Sequence, residues 1–129
     1  MATEPIYQDF DLTFAIHPVR KDLVLNTDAN SVIKSIVNLL MTNHFEVPMH
    51  PEIGCNIRKL LFENLAPYVA KDISRFIQET IRNFEPRARV SKLVVTPDVD
   101  LNGYNVHLEC FIDTSPKLQS VDFLLQRTR

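Results

Sequence analysis

Between Pro67 and Pro86 lies the segment that most limits what this chain can become. Val69, Ile73, Phe76, Ile77, Ile81 and Phe84 recur mostly three and four residues apart, and Lys71, Asp72, Arg75, Glu79 and Arg82 fill the opposite side. That period is the mark of a helix with one buried stripe and one wet face. The two prolines set its bounds. Pro67 suits a first turn, where the N–H it lacks would have no partner, and Pro86 pushes Glu85 out of helical geometry. The spacing predicts a helix over about 67–85, and its apolar face must find a second layer to cover it.

The second layer is legible downstream, where the period changes to two. Leu93, Val94, Val95 and Thr96 are β-formers ahead of Pro97. Tyr104, Val106, Leu108, Cys110 and Ile112 alternate with polar residues behind Asn102–Gly103, a strong hairpin turn pair. Val121, Phe123 and Leu125 alternate through a last strand, about 119–127, with no helix after it to cover its edge. Upstream, Val32, Ile33, Ile36, Val37, Leu39 and Leu40 predict a helix over about 29–42, with Asn26, Thr27, Asp28 and Asn30 as candidate caps. A short helix follows a proline-containing loop, through Ile57, Leu60, Leu61 and Phe62. Residues 12–25 read as an edge strand at most. Residues 1–11 read as a mobile opening with Tyr7 and Phe10 as local anchors. The expectation is one α+β domain over 1–129, two to three helices packed on a small antiparallel sheet with an exposed terminal strand.

A chain of 129 residues buries roughly two-thirds of its unfolded surface, enough for a core of its own. Net charge of −2 gives no broad basic footprint, so the expected partners do not include nucleic acid. Only Gly54 and Gly103 are present, too few for a phosphate-cradling loop. No apolar run approaches a membrane span and no basic-then-apolar leader opens the chain, which predicts synthesis and folding in cytosol without membrane contact. Cys55 and Cys110 form no CxxC pair and are expected to be reduced core residues.

Several constellations carry a sharp reading and a bland one. Asp98, Asp100, Asn102, Gly103 and Glu109 satisfy the spacing of a calcium-binding EF-hand loop. Pro97 before it and the alternating strand after it favour a hairpin, which carries Glu109 about 20 Å from the turn at 3.3 Å per residue. His44 and His50 lie near Glu46 and Glu52, but form no metal-ligand array, so no metal or cofactor is expected. Glu63, Glu79 and Glu85 are the carboxylates a glycosidase pair would draw on, with solvated helix charges as the ordinary alternative. No serine or cysteine sits in a nucleophile motif, and no catalytic residue is assigned. Glu85 stands at a helix C-terminus, where the dipole repels a carboxylate, so Arg82 or Arg87 is expected to compensate it.

These pieces also occur in a particular order. Tyr7–Gln8–Asp9–Phe10–Asp11 opens the chain; Pro51–Glu52–Ile53–Gly54–Cys55 and Leu61–Phe62–Glu63–Asn64 follow. Then come Arg82–Asn83–Phe84–Glu85–Pro86–Arg87, a β-hairpin and a last strand. The ordered set resembles the gene 25-like baseplate wedge family of T4-type contractile phage tails, which has a relative in the type VI secretion baseplate. The resemblance implies a non-enzymatic virion protein of the tail baseplate, assembled in the host cytoplasm. It implies docking to other wedge proteins through a helical core bundle, with Glu85, Pro86 and Arg87 in the docking region. It further implies sheath initiation, in which Val121, Phe123 and Leu125 lie on a strand that pairs with sheath protein, and a further contact with the tail tube. The family has also carried a lysozyme label, so a peptidoglycan hydrolase of the same tail is the alternative.

Overall fold

The computed structural model describes residues 6–23 and 25–127. The expected mobile opening falls partly outside them, at residues 1–5. The central helix, α3, spans Pro67–Phe84 with Pro67 at its first turn, and buries Val69, Ile73, Ile77 and Ile81. Its stripe lies on a three-stranded antiparallel sheet made of β3 (Ala88–Asp98), β4 (Gly103–Ile112) and β5 (Ser115–Gln126), in the spatial order β3-β4-β5. Helices α1 (Asp28–Met41) and α2 (Ile57–Leu61) complete the helical layer. This is the α+β arrangement that the change of period predicts.

The core is one cluster. Val32, Ile36 and Leu40 of α1 meet the α3 stripe, while Tyr104, Val106, Leu108, Cys110 and Ile112 line the inner face of β4. Every second residue of β4 is buried, as half-buried alternation requires. Tyr104 is fully buried and its hydroxyl accepts the Ala66 N–H at 3.4 Å, giving the ring a polar anchor at the start of α3. Cys55 and Cys110 are free and buried in this core, and burial pushes both thiols up from their ordinary range, which disfavours the reactive thiolate.

The strands differ from expectation at their ends. β3 runs through Pro97 instead of stopping before it, because β3 lies at the sheet edge and a proline there gives up no ladder bond. Gln8–Phe10, within the segment read as a mobile opening, pair as β1 with β2 (Leu25–Thr27). Residues 12–23 form no strand; they hold one isolated bridge, Ile16 to Leu23. Of the two expected anchors, Tyr7 packs against the core and Phe10 is exposed. Asp28, read as a candidate cap, instead accepts the N–H groups of Ile6 and Tyr7 at 3.0 and 3.4 Å. In the loop before α2, Gly54 has φ +124°, and a Cβ there would sit 2.6 Å from the Thr42 carbonyl oxygen, so no other residue fits. None of the described helices is long and apolar enough to cross a membrane.

Candidate functional site

Helix α3 ends at Phe84, and Glu85 caps it with φ −128° and ψ 74°, its N–H still reaching the Ile81 carbonyl. Pro86 then turns the chain into β3. The side chain of Glu85 points inward and the residue is only 3% exposed. Arg87 Nε lies 2.5 Å from Oε1 and a terminal nitrogen 2.9 Å from Oε2, a bidentate pair. Ser35 of α1 donates its hydroxyl to Oε2 at 2.7 Å. The Arg87 guanidinium also stacks over the Tyr7 ring at 4.9 Å. One carboxylate therefore ties together α1, the α3–β3 junction and, through Arg87, the segment before β1.

One reading of the triplet changes and another is narrowed. The flanking charges were expected to be solvated; Glu85 is buried instead, because Arg87 and Ser35 supply the donors that make burial tolerable. Of the two candidate compensators, Arg87 takes the charge, and Glu85 in turn holds its guanidinium protonated above the ordinary arginine range. Pro86 is exposed and the Arg87 side chain is 32% accessible, so these two are the surface part of the triplet. Tyr7 and Ser35 belong to the same constellation. Ser35 sits beside Ile36 on α1 with nothing local to mark it, and its partner is 50 residues away.

The second feature is the outer side of β5. From Cys110–Gln119 to Gly103–Gln126, eight consecutive residues of β5 pair with β4 without a shift in register. The only irregularity lies nearer Ser115, between Cys110 and Ile112. Among the described strands none pairs on the far side of β5, so residues 119–126 present a free row of N–H and C=O groups. Val121, Phe123 and Leu125 face inward. Leu125 is buried, Phe123 packs on the core, and Val121 opposes buried Leu108. These three side chains hold the strand to its own domain, while its backbone edge is what remains free.

The remaining sequence candidates resolve as structural groups. Asp98 Oδ1 accepts the N–H groups of Asp100 and Leu101, and Oδ2 accepts from Asn105, closing the β3–β4 hairpin. Glu109 lies on β4 against His107, away from that turn. His44 uses both ring nitrogens, one on the Gly54 carbonyl at 3.0 Å and one on Asn56 at 3.2 Å. Glu63 and Glu79 are exposed helix-side charges. Glu85, the remaining glycosidase candidate, is 3% exposed and has both carboxylate oxygens held by donors, the arrangement of a structural clasp.

Residues 26–117 match the model of the baseplate wedge protein gp25 family. The chain is 32% identical to the baseplate wedge protein gp25 of Enterobacteria phage T4 over 104 residues, covering 81% of this chain and 76% of that protein. In fold it resembles a putative tail lysozyme from Geobacter sulfurreducens, with a TM-score of 0.74 at 19% identity, over 82% of this chain and 96% of that one. It also resembles a chain of the anti-feeding prophage baseplate, with a TM-score of 0.66 at 20% identity, over 95% of this chain and 87% of that one. At such identities the two structures speak for the fold alone, and the lysozyme description belongs to the Geobacter protein. The family match spans most of the chain and takes in the Glu85–Pro86–Arg87 junction that the structure builds into its centre. The chain belongs to the gp25 family of baseplate wedge proteins, structural components of contractile phage tails.

Proposed function

We propose that this wedge protein initiates the tail sheath, docking to its wedge neighbours through the helical side and offering the free edge of β5 to an extended arm of sheath protein. The observation that carries this reading is the unshifted, uncovered edge of residues 119–126. An added strand completes such a ladder by backbone pairing alone. Main-chain pairing passes geometry from one ring to the next with little demand on side-chain identity, which suits an initiator. Docking to the wedge core bundle draws on exposed Pro86 and the accessible face of Arg87, with Glu85 holding that arginine in place. The tail tube is a further neighbour in this reading, and assembly takes place in the host cytoplasm. The protein acts by assembly and carries no hydrolase activity.

The test is to block the edge without touching the core. Adjacent residues of an antiparallel strand direct their N–H groups to opposite sides, so of Gln119→Pro and Ser120→Pro one removes a bond to β4 and the other removes only an outward donor. The outward variant should keep the fold and enter baseplates, yet nucleate few or no sheaths, as counted by electron microscopy. Sheaths of normal number on that variant would sink the initiator reading. Removing residues 119–129 is a poorer test, because it also strips Phe123 and Leu125 from the core.

A further inference from the structure

We propose that the groove between α3 and the free edge of β3 is a second docking site, fitted to an extended acidic segment of another protein. It lies on the opposite edge of the sheet from β5 and goes beyond the sheath-initiating role. It is made of two hollows that share Leu93, one lined by Arg75 and Arg82 of α3 and Arg89 of β3, the other by Lys71 of α3. Against these four cations the lining places one carboxylate, Glu79. The chain as a whole has net charge −2, so this is a local reversal of its average.

The charges are available. Among the described residues, the ion pairs involve neither Lys71, Arg82 nor Arg89; Arg75 alone has a partner, Asp72 at 3.4 Å on the exposed helix surface. Arg82 is free for the groove because Arg87 has taken the charge of Glu85. Arg82 and Arg89 are both exposed, so they steer without being part of the core.

The strand wall decides between kinds of anion. β3 pairs only with β4 among the described strands, leaving its other edge unpaired. A strand edge offers donors and acceptors in alternation. A polyphosphate or nucleic acid supplies only acceptors along its backbone and would leave the carbonyls unmatched, whereas a peptide matches both. No aromatic side chain lines the groove as a stacking platform for bases. The edge is also interrupted, by an irregularity in register between Val90 and Lys92 and by Pro97. Backbone pairing is therefore confined to short stretches, and carboxylates facing the arginines supply the selectivity that a short ladder lacks.

A peptide alternating glutamate and valine, titrated into the isotope-labelled protein and followed by amide shifts, tests this. The expected result is binding that moves amides of residues 88–96, weakens as salt rises, and falls about tenfold in Arg82→Glu/Arg89→Glu. The milder Arg82→Gln/Arg89→Gln variant should fall between, with an unchanged melting temperature to exclude misfolding. A lysine–valine peptide and a single-stranded oligothymidine are the controls. The proposal is overturned if the glutamate peptide does not bind or ignores the arginine changes. It is equally overturned if lysine–valine or oligothymidine binds as well as the glutamate peptide does. Shifts confined to residues 119–126 would overturn it while leaving the initiator role of β5 standing.

Discussion

Two charge clusters in this molecule use the same chemistry to different ends. At the α3–β3 junction, Glu85 is buried under a bidentate Arg87 and the Ser35 hydroxyl. On the outer face of the sheet, His107 of β4 pairs with Asp122 of β5 directly across the ladder and with Glu109 at 3.1 Å. The first cluster joins segments far apart in sequence around a buried carboxylate. The second joins neighbouring strands nearer solvent, with His107 half-buried and Asp122 74% accessible. The difference teaches that an ion pair's weight here follows from what replaces it when it is lost. Solvent can take over for exposed Asp122, whereas Glu85 is buried and its partners would lose their acceptor.

Breaking the buried cluster should give the largest effect. Glu85→Ala leaves a guanidinium and a hydroxyl without their acceptor, and should lower stability by about 2–4 kcal/mol. Chemical denaturation of the purified domain measures this, and a loss below about 1 kcal/mol would place Glu85 with the surface pairs. A smaller loss is expected for Arg87→Lys, which keeps the charge but not the fork or the stacking on Tyr7. About 1–2 kcal/mol is reasonable there for one lost charge-assisted bond, and a double-mutant cycle with Tyr7→Leu isolates the stacking share.

The exposed cluster should give the smallest effect, and the only one tuned by pH near neutrality. Asp122, and after it Glu109, hold the His107 imidazolium above its ordinary 6.5. A raised folded value means the stabilisation is complete below 6.5 and is lost as pH climbs through the folded midpoint. Wild type should therefore lead His107→Gln in melting temperature at acidic pH, and the lead should shrink as pH rises or salt is added. A lead that is constant across this range would show that His107 acts by packing rather than charge.

Much of this architecture was legible from residue order. The stripe from Val69 to Phe84 and the alternation from Tyr104 to Ile112 each report a local periodicity, and local periodicity survives in one dimension. The extra length of β3 was not legible, because a proline stops a central strand but not an edge one, and edge position is decided by the partners. β1 and β2 have three residues each, too short for any alternation to declare itself. At the candidate site, the need of Glu85 for compensation could be read from its place at a helix end. Its burial could not, since Ser35 and Tyr7 reach it only through tertiary packing. An uncovered last strand was the expectation from the alternation of Val121, Phe123 and Leu125, and among the described strands β5 pairs with β4 alone. The arginine groove was not anticipated, because its charges are contributed by a helix and a strand whose separate patterns each look like ordinary solvation.

The order β3-β4-β5 has a consequence for the nascent chain. Every strand of the sheet pairs with its neighbour in sequence, so the ladder closes through short loops at little entropic cost, and such local contacts favour rapid formation. The clasp of Ser35 on Glu85 must close a loop of 50 residues, at a larger entropic cost. A meander formed ahead of that clasp would stand with both margins and its inner face uncovered. In that interval the Val90–Lys92 irregularity and Pro97 on one margin, and Pro116 and Lys117 on the other, act as guards against pairing with a second nascent chain. The stretch 119–126 has no proline, lysine or arginine, and Asp122 is its one charge. The open margin proposed above to receive a sheath arm is thus also a hazard while the chain is being made.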